Sequence, residues 1–100
     1  MFVFSYSYTP YIAVIGDIVS SKRIPERKEI QDKLTSLLND INKAYPRNIA
    51  SQFMITLGDE FQGLLHTGDN VLEMLETIER EMHPVKMRFG IGVGGITTDI

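Results

Sequence analysis

Apolar and polar positions divide the chain into short segments of differing period. Residues 11–16, "YIAVIG", form a continuous apolar run. That is the pattern of a central strand covered on both faces. A loop follows, with Pro25 suited to the first turn of a helix. From Ile30 the apolar residues fall at 30, 34, 37, 38, 41, 44 and 45, one face of a helix that Pro46 ends. "SQFMITL" (51–57) and "EFQGLLH" (60–66) are strand-like and flank Gly58-Asp59, which suits a type II′ hairpin. Residues 67–70 offer turn and N-cap side chains. Val71, Leu75, Ile78 and Met82 mark a second amphipathic helix that stops at Pro84, and residues 86–96, "KMRFGIGVGGI", predict a last strand.

The predicted order is β-α-β-β-α-β, the split βαβ arrangement of an α+β, ferredoxin-like domain. Right-handed crossovers then fix an antiparallel four-stranded sheet with both helices on one face. The third strand lies between the first two, and the fourth lies beside the first. Residues 1–10 alternate aromatics with smaller residues and read as an N-terminal arm or extra strand, ahead of a domain over 11–100.

Composition narrows the function classes. The 100 residues are 43% hydrophobic, enough for one core in one domain. The net charge of −3 and the lack of any basic block argue against nucleic-acid binding by this domain alone. Cysteine is absent, which removes disulfides, thiolate metal sites and cysteine nucleophiles, and fits a cytoplasmic location. No run reaches the roughly 18 to 20 apolar residues of a membrane span.

The topology gives the acids a common destination. The end of the first strand, at Asp17, and the hairpin carrying Asp59 and Glu60 share one end of the sheet. Carboxylates held together there need a proton or a cation. Mg²⁺ or Mn²⁺ suits such a place, because it takes one or two carboxylates and completes its shell with water and phosphate. Ser20 and Ser21 add small donors and Lys22 and Arg23 add charge, so a phosphate ligand is expected beside the metal. The plainer alternative treats Asp59 as a turn residue, Asp17 as a strand-end residue, the serines as helix caps and the cations as solvated. The glycines at 90, 92, 94 and 95 are read as close backbone packing or a bulge, not as a phosphate loop. His66 and His83 are read as structural or exposed, and Met74, Leu75 and Met82 as core.

"YIAVIGDIVSSKR", "ITLGDEFQGLL" and "VKMRFGIGVGGITTDI" resemble the SatD family of bacterial proteins over residues 11–100. That resemblance implies the N-terminal domain of a longer protein with a helix-turn-helix segment beyond it. The same blocks are distantly similar to the palm-type catalytic domain of class III nucleotide cyclases and GGDEF diguanylate cyclases. "VIGDIVSSK" then places Asp17 as a metal acid, with Ile18 contributing to the metal site. Ile18, Val19, Ser20, Ser21 and Lys22 fall on the stretch that holds the triphosphate. "LGDEF" places Asp59 as the second metal acid and Glu60 as the acid after it, with Leu57 where diguanylate cyclases carry glycine. "RFGIGVG" aligns Arg88, Gly90, Ile91 and Gly94 with a cyclase strand. The downstream asparagine and arginine of the cyclases have no counterpart before Ile100.

The resemblance therefore implies a palm-like, metal-dependent nucleotide-binding domain. Its ligand is expected to be a nucleoside triphosphate or related phosphate, its reaction nucleotidyl or phosphoryl transfer, and its assembly a homodimer. The alternative is a non-catalytic sensing or assembly module that reports to a C-terminal DNA-binding segment.

Overall fold

The structure is a computed structural model, and it describes residues 10–19 and 25–94. Its elements are β1 (Tyr11–Ile18), α1 (Arg27–Ala44), β2 (Ile49–Leu57), β3 (Glu60–Leu65), α2 (Val71–Met82) and β4 (Met87–Gly94). The sheet order is β2-β3-β1-β4, with every neighbouring pair antiparallel. This is the predicted βαββαβ arrangement. Of residues 1–10, the region read as an arm, 1–9 lie outside the described residues.

One face of the sheet makes the core. Val14, Ile18, Phe53, Phe61 and Leu65 from the strands meet Leu34, Leu38 and Ile41 of α1 and Met74, Leu75, Ile78 and Met82 of α2. The two methionines and Leu75 are thus buried as their spacing predicts. Gly16 explains how the rings fit. It is the direct partner of Phe61 on β3 and of Phe89 on β4, and a Cβ there would overlap the Phe61 ring. Phe61 and Phe89 meet edge to face with centroids 6.3 Å apart. Gly63 gives Phe53 the same room, since a Cβ would stand 2.6 Å from that ring.

Among the described residues the opposite face carries no helix, which corrects the expectation that β1 is covered on both sides. Ile15 is 44% exposed there although it sits mid-strand. The continuous apolar run arose because half of it faces the core and the rest lies on an apolar open face. The glycines of β4 also depart from expectation. The β1–β4 register runs from Tyr11↔Gly94 to Ile18↔Met87 without a bulge, and a Cβ at Gly90, Gly92 or Gly94 would meet nothing within 4 Å. Gly95 lies outside the described residues.

The hairpin forms as its residues require. Gly58 has φ +60 at the first turn position, a conformation open to glycine, while Asp59 does not need it. Between Ser51 and Met54 the β2 register shifts, and Asn42 of α1 takes over the displaced backbone. Its side-chain amide donates to Phe53 O at 2.9 Å, and its carbonyl accepts from Phe53 N at 2.8 Å. This fastens α1 to the edge strand. Asn70 starts α2 from a left-handed φ of 67 without a side-chain cap bond. No helix among the described residues is long and apolar enough to cross a membrane.

Candidate functional site

β1 extends further than its apolar run, so Asp17 lies inside the strand rather than beyond it. Alternation of side chains puts it on the open face, with Glu60 directly opposite on β3 and Arg88 directly opposite on β4. A charged row, Glu60–Asp17–Arg88, therefore crosses three strands. Asp17 stands beside a like charge, which is unfavourable at that spacing, and beside an opposite one that offsets it. Arg88 closes on it with both prongs, Nε to Oδ1 at 3.1 Å and Nη2 to Oδ2 at 3.3 Å. The side chains of Arg88 and Asp17 are 70% and 35% exposed, so the pair is open to water.

Asp59 follows Gly58 at the tip of the hairpin, next to this row. Its carbonyl accepts from Ile18 N at 3.3 Å, which ties the hairpin to the end of β1. Its carboxylate, however, turns toward α1. Arg27 donates from Nε to Oδ1 at 3.4 Å and from Nη2 to Oδ2 at 3.1 Å, and Gln31 donates to Oδ1 at 2.5 Å. The Asp59 side chain is only 9% exposed. Topology thus brings Asp17, Asp59 and Glu60 to one end of the sheet, as predicted. The direct cross-strand partner of Asp17 is Glu60, and each aspartate already holds an arginine.

The arginines are what sequence reasoning missed as partners of the acids. Arg88 was aligned to a cyclase strand but given no role, and Arg27 was not singled out. The antiparallel β1–β4 pairing was the available signal for Arg88, because it sets the start of β4 against the end of β1. For Arg27 the signal was its place at the start of the helix that leaves this same rim.

The residues expected to hold phosphate divide in two. The N–H of Ile18 is spent on Asp59 O, and that of Val19 donates to Lys86 O at 2.9 Å. Both amides thus have backbone partners in this structure. The Ile18 side chain is core, 4% exposed. Ser20, Ser21, Lys22 and Arg23 lie outside the described residues.

A divalent cation can be tested against this donor set. Among the described residues no group of three or more His, Cys, Asp or Glu side chains converges as a metal cage. The arrangement fits an ion that takes one or two carboxylates and finds its other ligands on phosphate and water. Such an ion must displace a guanidinium. At Asp17 that is inexpensive, since an exposed ion pair contributes only about 0–1 kcal/mol. His66 and His83 are exposed and take no part in the rim, and His66 packs its ring 5.6 Å from Tyr11.

Beside the charged row the open face is apolar. Ala13, Ile15, Met54 and Leu64 border a shallow pocket of about 160 Å³, with Gln62 and Ser51 among its polar edges. Gln62 is the direct partner of Ile15, one open-face row from Asp17 and Glu60.

Comparison with known proteins places this geometry in context. The SatD family model matches residues 11–100. The fold is similar to the guanylate cyclase domain of RhGC from Catenaria anguillulae, crystallised in complex with GTP. That match has 15% identity and a TM-score of 0.65, and it covers 90% of this chain and 59% of that one. It is also similar to the dimeric guanylyl cyclase domain of the RhoGC fusion protein from the aquatic fungus Blastocladiella emersonii. Here the identity is 18% and the TM-score 0.56, with 90% of this chain and 60% of that one covered. The chain thus spans about six-tenths of the length of these domains. No curated protein matches it in sequence. The chain belongs to the SatD family, and its fold is the palm-like fold of cyclase domains.

Proposed function

We propose that the acidic end of the open face binds a nucleoside triphosphate, or a related phosphate ligand, through Mg²⁺ or Mn²⁺. The observation that carries this reading is the convergence of Asp17, Glu60 and the Asp59 hairpin at one end of the sheet, on the border of the face opposite the helices. Asp17 and Asp59 would hold the ion, with the main-chain carbonyl of Ile18 as a further oxygen and Glu60 in support. Ser20, Ser21 and Lys22 would hold phosphates. When bound, the ion would neutralise phosphate charge and align a hydroxyl with the α-phosphate, the chemistry of nucleotidyl transfer. Arg88 stands where a phosphate would replace Asp17 as its partner, a planar fork suited to two phosphate oxygens. The apolar shelf around Ile15 and Met54 would support a base, and Gln62 could hydrogen-bond its edge.

A second reading draws on the arginine pairs. Both aspartates are neutralised without a ligand, and among the described residues no further metal ligand joins them. That state suits a module that senses its ligand, dimerises or reports to a DNA-binding segment, without chemistry of its own. The GTP and the dimer of the similar structures belong to those proteins and come to this chain only as part of this proposal, as does a cytoplasmic location.

Thermal unfolding with Mg²⁺ or Mn²⁺ and each nucleoside triphosphate tests the site. Ligand at 100 times its dissociation constant should add about 2.7 kcal/mol of stability. A metal-dependent gain lost in Asp17→Asn and Asp59→Asn supports it, and no gain at millimolar ligand removes it. Chromatography of the products then separates an enzyme from a sensor.

A further inference from the structure

The grip of α1 on the hairpin has a feature that bracing alone does not need. Asp59 and Arg27 lie 32 residues apart in sequence, yet both carboxylate oxygens meet the guanidinium. Gln31, one turn further along α1, fixes the same carboxylate and also donates to Gly58 O at 3.5 Å. Gln31 is neutral and leaves the acid its charge. Arg27 places a positive charge where a cation bound to Asp59 would need room. Its side chain is 46% exposed while that of Asp59 is 9% exposed, so the arginine is the partner free to move.

We propose that Arg27 is an exchange residue: it occupies Asp59 in the ligand-free protein and passes to a phosphate oxygen when a divalent cation takes that carboxylate. This rests on the metal–phosphate reading given above and assigns the protein a built-in preference for metal and phosphate together. A cation arriving alone must displace the arginine and strand its charge. A cation arriving with polyphosphate supplies the guanidinium with a new anionic partner. Gln31 is a positioning residue that keeps the carboxylate in place through the exchange.

The test uses Mn²⁺ alone and Mn²⁺ with inorganic tripolyphosphate, each titrated calorimetrically into the wild type, Arg27→Ala, Arg27→Gln and Lys28→Ala. Removing the competing charge should tighten Mn²⁺ alone by on the order of thirtyfold, the effect of one unit charge on a divalent ion about 4 Å away in a watery setting. The same variants should bind Mn²⁺–tripolyphosphate roughly tenfold more weakly, for the loss of a charge-assisted hydrogen bond. Lys28, on the adjacent position and 87% exposed, should change neither. Opposite signs in both Arg27 variants support the exchange, because a mere brace would move both affinities the same way. Equal signs, or a Lys28 effect matching that of Arg27, overturn it and leave the site reading intact. If the wild type binds Mn²⁺–tripolyphosphate no better than Asp17→Asn does, the site reading itself fails and the exchange falls with it.

Discussion

Two neighbouring rows of residues cross the sheet near one end and do opposite work. Phe61, Gly16 and Phe89 lie on the helix-covered face, and Glu60, Asp17 and Arg88 lie one residue along on the open face. The first row is dry, with Phe61 fully buried and a glycine between the rings so that they can meet. The second is wet and charged, and its pairs can be exchanged at little cost. A single step along a strand thus separates what holds the domain together from what is available to a ligand.

Substitutions can break this contrast, and the largest effect should come from the dry row. Phe61→Ala removes a fully buried ring and should cost about 3–5 kcal/mol in denaturant unfolding. Gly16→Ala should cost about 1–3 kcal/mol, because the new methyl drives into Phe61. Gly90→Ala, next in the register on the open face, has free space above it. It should be neutral or gain up to about 1 kcal/mol from lower chain entropy in the unfolded state. Equal costs at Gly16 and Gly90 would show that the two faces do not differ as described.

The arginines sharpen the comparison within the charged end. Arg27→Ala should cost about 1–3 kcal/mol, since Asp59 is nearly covered and loses charge-assisted bonds. Arg88→Ala should cost under about 1 kcal/mol, since its pair is exposed. A reversed order in urea titrations would mean that the exposed Arg88–Asp17 pair holds the rim more firmly than the covered Arg27–Asp59 pair.

The smallest effect lies away from both rows. Burial, followed by the nearby Glu73 carboxylate and a hydrogen bond to it, raises the Tyr45 hydroxyl above its ordinary value of 10.0. The folded state therefore favours the protonated phenol. Its contribution is fully present below the unfolded-state value and is lost as pH rises through the higher folded one. Tyr45→Phe should flatten the fall in stability above about pH 10, followed by circular dichroism across alkaline pH.

Much of the architecture was legible in the residues. The periods of the two helices, the Gly58-Asp59 turn and the alternation in β3 gave the element order, and handed crossovers gave the sheet order. The shared end for Asp17, Asp59 and Glu60 followed from that. The apolar run at 11–16 misled on coverage, because a run does not say whether its second face meets a helix or merely an apolar surface. The glycines of β4 misled on packing, because the absence of a side chain does not reveal whether anything comes close. The direction of the Asp59 carboxylate was illegible for a stronger reason. It depends on which of several side chains reach it first.

The sequence by itself determined the period of each segment, the glycine at the hairpin and the excess of acid near one rim. Those are local properties, set by backbone sterics and by which side chains recur on one face. Only the tertiary structure decided that Glu60 and Arg88 flank Asp17, that Arg27 and Gln31 claim Asp59, and that both described helices pack on one sheet face. These pairings join residues as many as 71 positions apart, and their geometry is fixed by strand register and helix docking, which no short stretch of chain contains.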